Sequence, residues 1–217
     1  MSDKELGPRK APRQKRAQVT VEAILQATAQ LLIQHGYRKT STNRIAQRAG
    51  VSVGSLYQYF PNRDAIVVAL FEDLAHKQMQ VFEDSVADLL EPRGREIPLS
   101  DAVRGLIGAI LATRTVEPDL SRILLEEVGW TEHVNLVDEW TQRATTLVAT
   151  ALRHPDAQEE MRALDADFAA SMIVQAGFGV LYGPRSEALI ADPRFEEELC
   201  LLITCYLKPR GAGEGTS

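Results

Sequence analysis

The sequence contains only two cysteines, Cys200 and Cys205, and both lie in one apolar segment near its end. Positions five apart do not share a face of a helix, and no histidine is close enough in sequence to complete a metal site. A disulfide-rich secreted fold and a zinc site of common spacing therefore have no support. We expect two buried, reduced thiols in a cytoplasmic protein.

Long apolar runs are also missing. No stretch reaches the roughly 18 apolar residues that a membrane span needs. The basic start and the apolar stretch after it resemble a signal peptide, but Glu22, Gln26 and Gln30 interrupt that stretch at the spacing of an amphipathic helix. We therefore expect neither a cleaved leader nor a membrane partner.

No catalytic or cofactor-binding motif is present in the sequence. Gly177, Gly179 and Gly183 loosely resemble a dinucleotide fingerprint, but their spacing is wrong and no strand precedes them. The serines form no nucleophile elbow, and the acidic cluster at 196–198 is typical of a solvated helix face. We expect no cofactor, no metal and no enzyme, and an enzyme that turns over a molecule in an internal cavity is the alternative.

The sequence does have a pronounced charge asymmetry. Residues 1–64 contain 11 Lys and Arg and 4 Asp and Glu, whereas residues 65–217 contain 13 and 26. The net charges are therefore +7 and −13, which give the −6 of the whole chain. A small basic module joined to a larger acidic domain is typical of a nucleic-acid-binding protein. A module that binds an acidic protein partner is the alternative.

The stretch 42–60 predicts two short helices joined by a tight turn. Apolar residues at helical spacing give the first helix one buried face, and Gly50 follows where a positive φ angle ends a helix. Ser52 is a suitable N-cap for a second helix at 53–60. The outer face of this second helix is small and uncharged, which suits contact with base edges in a major groove.

Hydrophobic periodicity predicts helices along the whole chain. The first is expected at 21–34, with Thr20 as its N-cap, and a long one at 63–90 with Asn62 as its N-cap. Further helices are expected at 99–116, 119–128, 130–153, 164–182 and 194–207. The predicted organisation is a flexible basic arm (1–18), a helix-turn-helix domain (19–65, motif 41–60), a second helical domain (66–208) and a disordered tail (209–217).

One run of residues in the basic module matches a known pattern: Thr42, Ile45-Ala46, Ala49-Gly50-Val51-Ser52, Gly54, Leu56-Tyr57, Tyr59-Phe60, Arg63-Asp64 and Ile66. With these residues, the region 20–70 resembles the DNA-binding domain of the TetR family of bacterial transcriptional regulators. The resemblance implies an all-α protein of about nine helices, a homodimer, and a C-terminal domain that binds a small effector. Arg63 stands where the family usually has a Lys that contacts phosphate, and it keeps the charge.

These patterns predict the residues that contact a double-stranded DNA operator. The second helix would read the major groove, and its predicted contacts are Ser52, Val53, Gly54, Ser55, Tyr57, Gln58 and Tyr59. Phosphate contacts are expected from Thr42, Arg63, Arg13 and Arg16. We hypothesise a ligand-responsive regulator, a repressor that binds a pseudo-palindromic operator as a dimer and is released by a small apolar effector.

The effector site and the dimer interface are predicted in the acidic domain. Two tryptophans and several other side chains are candidates for an apolar pocket with one cationic group, and ordinary core positions are the alternative. The candidate lining residues are Phe82, Arg114, Trp130, Trp140, Met172 and Phe178. The resemblance places dimerisation in the last two long helices, so we assign it to 164–182 and 194–207.

Overall fold

The computed structural model describes residues 11–90, 98–128, 134–182 and 186–209. These residues form eleven α-helices and no strand. The helices are α1 (Ala11–His35), α2 (Thr42–Ala49), α3 (Val53–Tyr57), α4 (Arg63–Leu90), α5 (Leu99–Thr113), α6 (Pro118–Ile123), α7 (Val134–Leu152), α8 (Pro155–Glu160), α9 (Ala166–Tyr182), α10 (Ser186–Ile190) and α11 (Phe195–Leu207). The predicted all-α fold is confirmed.

The chain divides into two compact units. Among the described residues, the first unit comprises 11–74 and 117–128, and the second comprises the remainder. The long helix α4 contributes its first twelve residues to the first unit and the rest to the second. None of the described helices is long and apolar enough to cross a membrane.

The core of the first unit is small and is built from the predicted apolar faces of α1 to α4. It consists of Ile24, Ala27, Leu31, Ile45, Ala46, Leu56, Phe60 and Ile66. Val51, in the turn between α2 and α3, packs against this cluster, as its position at the corner of the hairpin predicts. Burial of these side chains fixes the two short helices, which are too short to be stable alone.

The first helix begins ten residues earlier than predicted. α1 starts at Ala11, so part of the predicted flexible arm is helical. Thr20 is not an N-cap: it lies within the helix, and its hydroxyl donates to the carbonyl oxygen of Arg16 at 2.9 Å. The Gln, Lys and Arg residues of this segment favour a helix even without an apolar stripe, and Pro12 is tolerated because it lies in the first turn.

The core of the second unit lies between α5, α7, α9, α11 and the end of α4. α7 packs against α9, and α11 packs against α5. The side chain of Glu160 accepts from the amide of Leu99 at 2.8 Å, which ties α8 to the start of α5. Cys200 is buried as predicted, whereas Cys205 is exposed because it faces outward on α11, contrary to the prediction.

Two short helices occupy segments that were predicted as loops. The segment 154–156 is predicted as a loop, but Pro155 opens α8, where its missing N–H removes no hydrogen bond. α10 has five residues and is too short to show a period. The helix predicted from residue 164 begins at Ala166, because the Asp165 carboxylate accepts from the amides of Asp167 and Phe168 at 2.9 and 3.0 Å.

Candidate DNA-binding surface and effector site

Three local interactions define the ends of α2 and α3 in the helical hairpin. The Ser41 hydroxyl accepts from the amide of Arg44 and caps α2. Gly50 ends α2 in the left-handed region with φ 69°. The Ser52 hydroxyl accepts from the amide of Ser55 at 3.0 Å and caps α3. The hairpin is therefore specified by residues within a few positions of one another.

The outer face of α3 is exposed and uncharged, as predicted. Val53, Tyr57 and Tyr59 all present apolar surface to solvent, and Tyr57 is 50% exposed. The Tyr57 hydroxyl lies 3.2 Å from that of Thr42 at the start of α2. α3 ends at Tyr57 and not at residue 60 as predicted, so Gln58 and Tyr59 belong to the turn that follows.

Gly54 lies in the middle of this face, and the fold itself does not require a glycine there. Its φ angle is not in the left-handed region. Within residues 42–60, only Gly50 has a φ angle in that region. A Cβ added to Gly54 would meet only the Ser52 hydroxyl oxygen, at an ordinary 3.9 Å. Glycine within a helix costs about 1 kcal/mol relative to alanine. Contacts within the chain therefore do not explain the glycine at this position.

Arg63 makes several hydrogen bonds within the first unit that the sequence does not predict. Its guanidinium donates to the carbonyl oxygens of Tyr37 and Thr40, each at 3.3 Å, and to the Asp64 carboxylate at 3.2 Å. It also lies over the Tyr37 ring, 3.9 Å from the ring centroid. The Tyr37 hydroxyl donates to the same Asp64 carboxylate at 2.7 Å.

The ionisation of these groups reflects their contacts. The hydrogen bond from Tyr37, followed by the one from Arg63, lowers the pKa of Asp64. Burial, and then the hydrogen bond to Asp64, raises the pKa of Tyr37. Near neutral pH, the group therefore consists of a neutral phenol, a carboxylate and a guanidinium.

Further cations lie on this unit, and the residue-by-residue prediction did not include them. Arg38, Lys39 and Arg44 are exposed beside the start of α2, and Arg44 donates to the carbonyl oxygen of Lys39 at 2.8 Å. The positive charge of residues 1–64 was the signal that could have found them. Of the predicted arm contacts, Arg16 is exposed on α1. Arg13 lies in the first turn of α1, and its side chain is outside the described ones.

Three of the six candidate effector residues lie in a row of aromatic rings in the second unit. Phe82, Trp140, Phe178 and Tyr182 form a row of ring contacts, with successive centroid distances of 5.9, 6.4 and 4.8 Å. Phe82, Trp140 and Phe178 are predicted effector residues, and Tyr182 extends the row beyond them. Burial raises the pKa of the Tyr182 phenol. Trp130 lies outside the described residues.

Arg114 and Met172 lie in surroundings that the sequence does not predict. The Arg114 guanidinium donates to the carbonyl oxygen of Leu181 at 2.8 Å and pairs with Glu187 at 2.6 Å, so it links the end of α9 to α10. Met172 is 49% exposed. It shares its face of α9 with Phe168, four residues earlier, which is also exposed.

Two protein-family models match this chain. Residues 24–70 match the family model of the bacterial regulatory proteins of the tetR family. Residues 98–207 match the model of the tetracyclin repressor-like C-terminal domain, and this match alone covers half of the chain. The chain belongs to the TetR family. It is therefore a helix-turn-helix, DNA-binding transcriptional regulator, with α2 and α3 as the two helices of the motif.

Relatives that are named as transcriptional regulators match part of the chain. An uncharacterized HTH-type transcriptional regulator of Mycobacterium tuberculosis is 34% identical over 76 residues, which are 35% of this chain and 39% of that protein. The match thus spans only about two fifths of the relative's length.

Solved structures of TetR-family regulators share the fold over most of the chain. SmeT, crystallised with triclosan, has a TM-score of 0.59 and 23% identity, and the match covers 88% of this chain and 93% of SmeT. A second structure describes SmeT as the repressor of a multidrug efflux pump of Stenotrophomonas maltophilia. The fatty acid degradation regulator FadR of Bacillus halodurans has a TM-score of 0.59 at 18% identity, over 86% of this chain and 99% of FadR.

Proposed function

We propose that this TetR-family regulator is a ligand-responsive repressor that binds a pseudo-palindromic operator as a homodimer. The observation that carries the proposal is the exposed, uncharged face of α3, from Ser52 to Tyr59, on a capped and well-packed hairpin. Two copies of α3 would enter successive major grooves with half-site centres about 34–36 Å apart, or a near multiple of that distance.

The roles of the contact residues follow from their chemistry. On α3 and the turn after it, Gln58 has an amide that reads a base edge, while Val53 and Tyr59 offer apolar contact to a thymine methyl group. The Ser52 hydroxyl caps the helix and lies 2.8 Å from the Ser55 hydroxyl, so two hydroxyls lie at the start of α3. The hydroxyl pair of Thr42 and Tyr57, with Arg13 and Arg16 of α1, would contact phosphate, which adds affinity without sequence preference.

Selection of bound duplexes from a randomised pool tests the DNA-binding proposal. We expect wild-type protein to enrich a two-fold symmetric sequence and its affinity to fall steeply with salt, with a log–log slope of about −0.9 per phosphate contact. Enrichment of an asymmetric single half-site would contradict binding as a dimer. Affinity that does not depend on salt would contradict the phosphate contacts.

Gly54→Ala is expected to weaken operator binding without loss of stability. The new methyl group has open space in the free protein, and the helix gains about 1 kcal/mol of propensity. On the complex, the same methyl group would intrude between α3 and DNA, at a cost of about 1–3 kcal/mol. The dissociation constant should therefore rise about 5- to 150-fold, measured by fluorescence anisotropy with a selected duplex.

Gly108→Ala is the matched control for this change. Gly108 is an exposed glycine of α5 with no atom within 4 Å of an added Cβ. It should tolerate alanine with unchanged DNA affinity. Wild-type affinity in Gly54→Ala, with both variants folded, would show that DNA does not approach this backbone.

The homodimer proposal is supported by the distribution of exposed apolar side chains. In the described part of the second unit, every large hydrophobic residue that is more than about a third exposed lies on α9, α10 or α11: Phe168, Met172, Leu189, Leu201 and Leu202. α9 and α11 are the helices within the predicted dimerisation segments 164–182 and 194–207. Large apolar side chains that are exposed together on a few helices favour an interface on those helices.

The effector proposal is supported by the row of rings from Phe82 to Tyr182. Aromatic side chains with a buried phenol at one end suit an apolar molecule that carries a hydrogen-bonding group. The pairing of Arg114 with Glu187 argues against the cationic group that we expected in the pocket. The names of the structural relatives fit an apolar effector, since one is a complex with triclosan and another a fatty acid degradation regulator.

Effector binding should be visible in the fluorescence of Trp140. In a Trp130→Phe background Trp140 is the sole tryptophan, so we expect saturable quenching by triclosan or by a long-chain fatty acid. The same molecule should weaken operator binding about 5- to 150-fold, the usual range of allosteric coupling. The control is Trp140→Phe, in which Trp130 reports. If neither molecule quenches Trp140 or displaces the protein from DNA, this effector class is wrong.

A further inference from the structure

The contacts of Arg63 join the start of α4 to the segment that leads into α2. Both carbonyl oxygens that it contacts belong to the turn after α1: Tyr37 begins a single 3₁₀ turn, and Thr40 ends it. The next residue is Ser41, the N-cap of α2. Arg63 itself is the first residue of α4, three residues after the last core side chain of the hairpin, Phe60.

The group is therefore a clamp across the two ends of the DNA-binding hairpin. One end is the entry to α2, where Thr42 lies with its hydroxyl beside that of Tyr57. The other end is the exit from α3 into α4. The ring of Tyr37 supports the guanidinium from one side, and Asp64 accepts both from Arg63 and from the Tyr37 hydroxyl. Charge-assisted hydrogen bonds of this kind are stronger than neutral ones.

We propose that Arg63 is a positioning residue for DNA recognition and not a phosphate contact. It acts through the hydrogen bonds that its guanidinium donates to the Tyr37–Thr40 turn. The proposal rests on DNA binding as the function of this unit. By fixing the turn, Arg63 fixes the start of α2 relative to α3, and with it the hydroxyl pair of Thr42 and Tyr57 that would face the phosphate backbone.

The geometry requires arginine and not merely a positive charge. A guanidinium is flat, stacks on an aromatic ring and donates in several fixed directions at once. Here it uses these properties together, because its face lies over the ring of Tyr37, its Nη1 donates to two carbonyl oxygens and its Nε donates to a carboxylate. A lysine ammonium carries the same charge, but it has no planar face and no fork, so it cannot reproduce the set.

The comparison of Arg63→Lys with Arg63→Ala separates the two roles, using full-length protein and a duplex selected by the wild type. If Arg63 positions the turn, both variants should bind at least about tenfold more weakly than wild type. The log–log salt slope of Arg63→Lys should equal that of wild type. If Arg63 contacts phosphate, Arg63→Lys should bind like wild type, and only Arg63→Ala should lose about 0.9 of slope; that outcome overturns the proposal.

Tyr37→Leu provides a second test that leaves the charge of Arg63 in place. Loss of the ring and of its hydroxyl should weaken DNA binding with an unchanged salt slope, in protein that circular dichroism shows to be folded at the temperature of the assay. Wild-type affinity in Tyr37→Leu would overturn the clamp. Arg16→Ala, at an exposed cation that is predicted to contact phosphate, is the control that should lose slope. Failure of the wild type to bind any duplex would instead contradict the proposed function.

Discussion

Replacement of Phe168 and Leu202 by aspartate is expected to convert the proposed homodimer into a monomer. Phe168 on α9 is 65% exposed and Leu202 on α11 is 61% exposed in the single chain. In a homodimer these side chains would be covered by the partner subunit, so the double variant would place four unpaired carboxylates in an apolar interface. Burial of an unpaired charge costs several kcal/mol. The cost of four such charges would outweigh the free energy of association of an interface of ordinary size.

Loss of the dimer should also reduce operator affinity. When two DNA-binding units are joined, the second half-site binds at a high effective concentration, which typically adds 10²- to 10⁴-fold to affinity. The double variant should therefore bind the selected operator about 10²- to 10⁴-fold more weakly and should show no preference for a full site over a half-site. The same folded α3 would still contact each half-site.

Sedimentation equilibrium measures the oligomeric state directly. The mass should fall from twice the chain mass of 24.0 kDa to that value. Ile33→Asp is the matched control, because Ile33 is also an exposed apolar residue but lies on α1 in the first unit. It should sediment like wild type. A double variant that remains a dimer would place the interface elsewhere on the second unit.

The parts of the fold that the sequence predicted correctly are those with local causes. Gly50 at positive φ and the caps by Ser52 and Asn62 each depend on atoms within about four residues, and the structure confirms all three. The length of α4 follows from a long apolar stripe between a capped start and a Pro- and Gly-containing segment. Local signals of this kind can be read without knowledge of tertiary contacts.

The parts that were missed depend on tertiary contacts. Arg63 reaches a turn 26 residues away, so its sequence neighbours predicted only an exposed charge. Phe178 and Met172 are both apolar residues of α9, but one joins a row of rings and the other faces solvent. Because α9 is apolar on most sides, periodicity alone does not show which side packs against α7.

Leu56→Ala is expected to have the largest effect on the first unit. Leu56 is fully buried and is the single residue of α3 in the cluster of eight buried side chains that packs the hairpin against α1 and α4. Removal of a buried leucine side chain typically costs about 2–5 kcal/mol, a large part of the 5–15 kcal/mol that stabilises an ordinary domain. Since a helix of five residues has no stability of its own, α3 should detach from α2 and α4 and lose its exposed reading face.

Amide hydrogen exchange, followed peptide by peptide, can localise this loss. In Leu56→Ala, exchange should accelerate across residues 42–66 while peptides of α9 and α11 keep their wild-type rates, and operator binding should fall in parallel. Val53→Ala is the matched control, because it truncates an apolar side chain of the same helix that is exposed and outside the core. It should retain wild-type protection even if it binds DNA more weakly. Equal exchange in the two variants would mean that Leu56 does not anchor the recognition helix.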